Sequence, residues 1–231
     1  MNEKNTSVQT VGIVCAMDSE LTLLRDRIEG RREETLAATP FYSGSIDGVP
    51  VVVCGCGVGK ANAAMHTQIL IDRFAPDVIL HNGVAGALGD GLNVYDVVIG
   101  SEFVYHDMQE FILRDFEPLE LVYYADPALV RVFSALCPGA RVGRIATGDL
   151  FVTEKGDKEA IREKTGALCV DMESAAIAHT AFLNGIRFAA LRVISDQADE
   201  GAGISFAEFE KAAAAESAKR VLRFLRGLSR A

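Results

Sequence analysis

Short apolar runs alternate along the chain with segments whose apolar residues recur at helical spacing. The first run, Val11 to Cys15, predicts a buried strand, and the spacing of Leu21, Leu24 and Ile28 predicts a helix over Asp18 to Ile28. Strands that alternate with helices are typical of an α/β protein. We therefore expect a single α/β domain built on one central sheet.

A pair of neighbouring apolar runs predicts that this sheet is mixed. Phe41 to Ile46 and Val49 to Cys54 flank Asp47-Gly48, a dipeptide that favours a tight hairpin turn. A hairpin contributes antiparallel strands, whereas strands joined through helices run parallel. The expected architecture is a mixed β-sheet flanked by helices.

The other predicted elements follow the same alternation. The last helix is expected to begin at Ser205, because Ser205 and Glu208 form an S-x-x-E capping box. The remaining predictions, in chain order, are helix Lys60 to Phe74, strand Val78 to Leu80 with a loop over His81 to Gly86, strand Asp96 to Ile99, helix Pro127 to Leu136, strand Arg141 to Ala146, helices Lys158 to Lys164 and Met172 to Leu183, and strand Phe188 to Ile194.

Composition and charge narrow the class of protein. The chain has 231 residues, of which 49% are hydrophobic and 24% charged, as in a globular domain. We expect a polar tail over residues 1–10 and one domain over residues 11–231. The net charge of −9 and the lack of a basic stripe argue against nucleic acid or an anionic membrane as partners. No apolar run reaches the length of a bilayer span, and residues 1–10 are too polar for a signal peptide, so a cytoplasmic location is expected.

The spacing of the glycines and cysteines excludes several nucleotide-binding and zinc-binding motifs. The run from Gly55 to Lys60 lacks the Gly and the Ser or Thr of a Walker A loop, and it has Lys60 where a dinucleotide fingerprint needs Gly. Cys54 and Cys56 have no second Cys pair and no His cluster nearby, whereas structural zinc takes four such ligands. The sequence therefore predicts no metal and no ATP or NAD cofactor.

Three polar clusters follow predicted apolar strands, where open α/β sheets bind their ligands. They are Ala16 to Glu20, Val170 to Ser174 and Arg192 to Asp196. Each has a plain structural explanation, because acidic residues stabilise the first turn of a helix and aspartate caps turns. The position of all three at strand ends nevertheless favours a site.

Read together, these clusters belong to a longer series of segments that resembles one known family. The chain is similar to the nucleoside phosphorylase and nucleoside hydrolase superfamily, most closely to the bacterial 5′-methylthioadenosine/S-adenosylhomocysteine nucleosidases. The matching segments, in family order, are GIVCAMDSE, CGCGVGKANAA, HNGVAGAL, VVIGSEFVYHD, TGDLFV, VDMESAAIAH, RVISDQAD and SFAEF. The resemblance extends from about Val11 to about Leu228 and implies the family's fold, a homodimer and cleavage of adenine N-glycosidic bonds.

The resemblance also implies roles for particular residues. Asp196 matches the general acid that protonates adenine N7, and Ser195 matches the residue that orients it. Glu20 matches the carboxylate that activates water, and Arg192 matches an arginine near the water and the ribose. The positions that match the substrate-binding residues are Glu173 and Met172 at the ribose, Phe151 and Val152 at the adenine, and Met17, Val58 and Phe206 at the 5′ group.

Two departures leave parts of this assignment open. Val84 stands where the family usually has Ser or Thr close to the water, and Glu110 falls where the family places an apolar residue from the neighbouring subunit. The alternatives are therefore a nucleosidase for another 5′-modified nucleoside, such as 5′-deoxyadenosine or a futalosine-type compound, a purine nucleoside phosphorylase, and a nucleoside-binding protein without catalysis. Glu20 and the lack of an arginine suited to phosphate in the early loops favour hydrolysis over phosphorolysis.

Overall fold

The computed structural model describes residues 10–228, so nearly all of the predicted polar tail lies outside the described residues. The strands are β1 (Val11–Cys15), β2 (Glu29–Leu36), β3 (Thr39–Ile46), β4 (Val49–Gly55), β5 (Val78–Ala87), β6 (Val97–Tyr105), β7 (Tyr123–Tyr124), β8 (Arg141–Thr147), β9 (Cys169–Asp171) and β10 (Arg187–Asp196). The helices are α1 (Asp18–Arg25), α2 (Lys60–Phe74), α3 (Glu110–Asp115), α4 (Pro127–Leu136), α5 (Lys155–Thr165), α6 (Ser174–Leu183) and α7 (Ala202–Leu228). None of these helices is long and apolar enough to cross a membrane.

The strands form one mixed sheet, as the sequence predicts. Its order is β10-β6-β8-β9-β5-β1-β4-β3-β2, and β7 pairs with β6. β1 pairs in parallel with β4 and β5, while β3 pairs antiparallel with β4 in the predicted hairpin. Because β5 also pairs in parallel with β10, the strands β5, β9, β8, β6 and β10 close into a ring at one end of the sheet.

Both faces of the central strands are buried under helices. On β1, Ile13 packs on the side that carries α1, α4 and α7, and Val14 packs on the side that carries α2 and α6. The same alternation occurs on β4 at Val53 and Cys54. Because both of their faces are buried, β1 and β4 are apolar at successive positions. This is why the sequence shows them as continuous apolar runs.

Two predicted boundaries are wrong for identifiable reasons. The loop expected over His81 to Gly86 is the second half of β5, which continues to Ala87. The capping box at Ser205 and Glu208 lies inside α7, which begins at Ala202, one turn earlier. Asp199 precedes that start and accepts the Gly201 N–H at 3.0 Å, which closes a turn directly ahead of the helix.

Elements without an apolar signal were missed altogether. β2 has the sequence EGRREETL and is exposed along most of its length, because it is the last strand at the β2 edge of the sheet. Charged side chains on an edge strand discourage pairing with other chains, so this strand carries no hydrophobic alternation to detect. α3, β7 and β9 have at most six residues each and were missed for their brevity.

Candidate active site

A cavity of about 400 Å³ opens at the carboxyl ends of β1, β5 and β10. That volume falls within the range of small-molecule sites. Ten of the eleven residues predicted for the site line it, and Arg192 is the exception. The lining consists of Ala16, Met17, Glu20, Val58, Val84, Ala85, Gly86, Leu150, Phe151, Val152, Val170, Asp171, Met172, Glu173, Ser195, Asp196, Ala198 and Phe206.

Glu20 lies in the first turn of α1 with its carboxylate turned back toward the strand ends. Its Oε2 accepts the Ala16 and Met17 N–H groups at 2.8 and 3.1 Å, and its Oε1 accepts the Val84 N–H at 3.1 Å. Burial raises the pKa of Glu20, while Arg192 and the three backbone donors lower it. The carboxylate is thus held in one orientation at the cavity wall, although it is buried.

Asp196 ends β10 on the same cavity. Its Oδ2 accepts the Ser195 hydroxyl at 2.8 Å and its Oδ1 accepts the Ala198 N–H at 2.9 Å. Burial raises the pKa of this carboxyl above its ordinary value, and the two hydrogen bonds lower it. A raised pKa suits a group that must hold a proton when its substrate binds.

Two glycines of β5 explain why the segment over residues 81–86 looked like a loop. A Cβ on Gly83 would lie 2.9 Å from Glu20 Cδ, and a Cβ on Gly86 would lie 2.8 Å from Asp196 Oδ1. Both glycines occur in a strand because a buried carboxyl packs directly on the backbone at each position. The glycines that suggested a turn are therefore part of the site.

Glu173 is held by the glycine-rich turn between β4 and α2. Its Oε1 accepts the Gly59 N–H at 2.9 Å. Gly57 and Gly59 have φ values of +84° and +100°, a region that side chains disfavour. Burial raises the pKa of Glu173, and Asp171 raises it further. This turn lacks the spacing of a phosphate-binding loop, and its backbone instead donates a hydrogen bond to the Glu173 carboxylate.

Arg192 lies behind the cavity wall with only 1% of its surface exposed. Its Nε donates to Asp171 Oδ2 at 2.8 Å, and its Nη2 donates to Ser174 Oγ at 3.0 Å and to His81 Nε2. Burial would raise the pKa of Asp171, but the Arg192 charge and the hydrogen bonds from Ser174 and Thr147 hold it below its ordinary value. The result is a buried ion pair at the base of the site.

Asp171 and His81 are the residues that sequence reasoning missed. The sequence assigns no role to Asp171 within the segment VDMESAAIAH, yet it lines the cavity and binds Arg192. One signal in the sequence could have indicated Asp171. It is an acidic residue at the end of an apolar segment, and Arg192 lies within a predicted buried strand. A buried charge of one sign requires a partner of the other.

An apolar wall covers the rest of the cavity. The rings of Phe151 and Phe206 meet edge to face, with centroids 5.4 Å apart and an interplanar angle of 70°. Phe151 is 43% exposed and Val58 48% exposed, so both lie at the mouth. Val152 is buried. Such a wall fits the faces of an aromatic base and an apolar substituent.

The two departures from the family pattern occupy different places. Val84 is partly buried and lines the cavity next to Glu20, to which it offers only its backbone N–H. Glu110 begins α3, is exposed and lies outside the cavity lining. Across residues 10–228, no group of three or more His, Cys, Asp or Glu side chains could hold a metal ion.

Comparison with known proteins identifies the class to which this fold and site belong. Residues 10–226 match the family model described as Phosphorylase superfamily, so the chain belongs to that superfamily.

The relatives narrow the family further. A 5′-methylthioadenosine/S-adenosylhomocysteine nucleosidase from Staphylococcus carnosus is 37% identical over 227 residues, which cover 94% of this chain and 100% of that protein. The corresponding nucleosidase from Geobacillus thermodenitrificans is 40% identical and covers 92% of this chain and 94% of its own. The nucleosidase from Neisseria meningitidis, solved with methylthio-immucillin-A, has a TM-score of 0.91 and 36% identity, covering 95% of this chain and 100% of its own. Within the superfamily, the chain belongs to this nucleosidase family.

Proposed function

We propose that the protein hydrolyses the N-glycosidic bond of 5′-methylthioadenosine and S-adenosylhomocysteine, releasing adenine and the 5-thio-ribose. The similar proteins from Staphylococcus carnosus and Geobacillus thermodenitrificans carry these substrates in their names. The structure of the Neisseria meningitidis relative contains a methylthio-nucleoside analogue. The buried carboxyls of this chain support the same reaction.

One observation carries the proposal: Glu20 and Asp196 face one cavity over two glycines of the same strand. A Cβ on Gly83 would meet Glu20, a Cβ on Gly86 would meet Asp196, and both carboxyls line the same cavity. Two carboxyls on one cavity can serve as the acid and the base that cleavage of a glycosidic bond requires. This arrangement suits direct hydrolysis.

The reaction that we propose uses these carboxyls in opposite protonation states. Cleavage builds positive charge on the ribosyl ring and negative charge on the leaving adenine. Asp196 gives its proton to N7 of adenine as the C–N bond breaks, and Ser195 orients it. Glu20 takes a proton from the attacking water, which adds to the anomeric carbon.

The other residues bind and orient the substrate. Glu173 accepts hydrogen bonds from the ribose 2′ and 3′ hydroxyls, and Met172 packs against the sugar. Arg192 acts from behind the wall, where its charge stabilises the ionised form of Glu20. Phe151 stacks on adenine, Val152 offers backbone groups to its edge, and Met17, Val58 and Phe206 surround the 5′ substituent.

Adenine release from 5′-methylthioadenosine, measured with and without phosphate, tests the proposal. We expect equal rates in both buffers and free 5-methylthioribose as the sugar product. Phosphate-dependent turnover that yields a ribose 1-phosphate would establish a phosphorylase instead. Tight binding without adenine release would identify a nucleoside-binding protein, the alternative that Val84 favours.

We also propose that the protein is a homodimer, formed through the face that carries α2, α3 and α6. This face exposes large apolar side chains, namely Met65, Phe111, Ile112, Phe116, Phe182 and Leu183. Exposed apolar groups of this size mark interaction surfaces, and Val58 extends them to the cavity mouth. Light scattering should give twice the mass of the chain, and Leu183→Glu should lower that mass to one chain.

A cytoplasmic location is part of the proposal. All five cysteines are free and buried, as expected for a protein that folds in a reducing compartment. Fractionation of cells that produce the native chain would test it.

A further inference from the structure

His81 is a buried histidine of β5 that lies two residues before Gly83, outside the cavity lining. Its exposed fraction is 1%. Its Nδ1 lies 2.7 Å from the carbonyl oxygen of Val14, an atom that can only accept a hydrogen bond. The hydrogen of the neutral ring is therefore on Nδ1, and Nε2 is left as an acceptor.

That acceptor binds the Arg192 guanidinium. The guanidinium has five N–H groups. Nε donates to Asp171, and both hydrogens of Nη2 are used by Ser174 and His81. The side chain is thus anchored along its Nε and Nη2 side, which fixes the direction of its other nitrogen.

The remaining nitrogen, Nη1, is buried and has no hydrogen-bond partner among the described residues. It lies 2.8 Å from the point where a Gly83 Cβ would stand, and Glu20 Cδ lies 2.9 Å from that same point. Nη1 and the Glu20 carboxylate are consequently neighbours without forming a direct ion pair, a separation that one bridging water can span.

We infer that His81 is a positioning residue for hydrolysis: its neutral ring holds Arg192 so that Nη1 is directed at the Glu20 carboxylate and the attacking water. This inference rests on the proposed hydrolysis. It assigns a role to a residue that touches neither the cavity nor the substrate. A side chain without an acceptor at this position would leave one Nη2 hydrogen without a partner, so that only Asp171 and Ser174 would hold the guanidinium in its orientation toward Glu20.

The chemistry of His81 is suited to this role at any working pH. Burial and the nearby Arg192 charge lower the pKa of His81 to about 3. A protonated ring would bring two donors face to face at Nη2, but the ring stays neutral far below neutral pH. The acceptor is therefore permanent.

The test compares His81→Leu, which has no acceptor, with His81→Gln, whose carboxamide oxygen can reach the position of Nε2. His66→Leu is the matched control, because His66 is also buried, binds a backbone carbonyl through Nδ1 and has an unpartnered Nε2. We expect His81→Leu to lower kcat by roughly 10²-fold, as misplacement of a catalytic group does, with KM nearly unchanged. His81→Gln should recover most of that loss, and His66→Leu should keep the wild-type kcat.

Two outcomes would overturn the inference. One is a folded His81→Leu whose kcat matches that of His66→Leu. The other is a His81→Gln no more active than His81→Leu. Inactive wild-type protein would instead refute the proposed hydrolysis, which separates the two failures.

A measurement on the wild type keeps the inference testable even if His81→Leu does not fold. The chain has four histidines, so ¹⁵N spectra of the rings can be assigned by comparison with His81→Gln. We expect a neutral His81 ring from pH 5 to pH 9, as its low pKa requires, with the hydrogen on Nδ1, as the contact with the Val14 carbonyl oxygen requires. Hydrogen on Nε2, or titration within this range, would contradict the proposed hydrogen bond to Arg192.

Discussion

Replacement of Gly83 by alanine should impair catalysis far more than it impairs stability. The added Cβ would lie 2.8 Å from Arg192 Nη1 and 2.9 Å from Glu20 Cδ. Ordinary contacts between such atoms are about 3.5–4.0 Å, so one or both side chains must move by about 1 Å. A displacement of that size at a reacting group costs about 10²-fold in rate. The extra methyl in a packed interior costs about 1–3 kcal/mol of unfolding free energy.

A second glycine separates these two effects. Gly12 is buried in β1, and a Cβ there would meet the end of the Leu70 side chain, far from any carboxylate of the site. Gly12→Ala should therefore lower the melting temperature without lowering kcat. Adenine release and thermal unfolding would be measured on both variants. If Gly83→Ala kept kcat within about threefold of Gly12→Ala, the close packing of Glu20 on β5 would have no catalytic importance.

Three further predictions concern pH and specificity. Burial raises the pKa values of Glu20 and Asp196, and Glu20 must be ionised while Asp196 must be protonated. The rate of adenine release should therefore fall on the acidic side through Glu20 and on the alkaline side through Asp196, and a profile whose alkaline limb persists in Asp196→Asn would contradict this assignment. The 2′-deoxy analogue should be a poor substrate because Glu173 loses a hydroxyl partner, so equal kcat/KM for the two nucleosides would remove Glu173 from the ribose site. 5′-Methylthioadenosine should have a higher kcat/KM than adenosine, since each buried methylene contributes about 0.8 kcal/mol, and an unchanged substrate ranking in Glu110→Ala would exclude Glu110 from specificity.

The sequence predicted the parts of the site that end apolar strands. Glu20 and Asp196 each follow a run that was predicted as a buried strand, whereas Glu173 follows β9, which was not predicted, and the structure brings all three to one cavity. The common position of Glu20 and Asp196 follows from topology, because β1 and β10 run parallel on either side of β5 and end at the same edge of the sheet, whereas β9 before Glu173 runs antiparallel to β5.

The sequence did not predict what depends on packing between distant segments. Gly83 and Gly86 favour a turn by local preference, and only the carboxyls that pack on them explain a strand. His81 and Asp171 contact Arg192 across long separations in the chain, so no spacing marks them as partners. Local pattern identifies which residues end strands, whereas tertiary contacts decide which of them act together.

Adenine release by Glu20→Gln and Asp196→Asn determines whether these two carboxyls carry the reaction. Asp18→Asn is the matched control for Glu20→Gln, and Glu200→Gln is the matched control for Asp196→Asn. Both control residues are exposed and lie close in sequence to the carboxyl with which they are compared. We expect Glu20→Gln and Asp196→Asn each to lower kcat for 5′-methylthioadenosine by about 10²-fold or more, since each removes one proton transfer, while both controls keep the wild-type rate. A folded Glu20→Gln or Asp196→Asn with a kcat close to that of its control would contradict the claim that these two carboxyls carry the reaction.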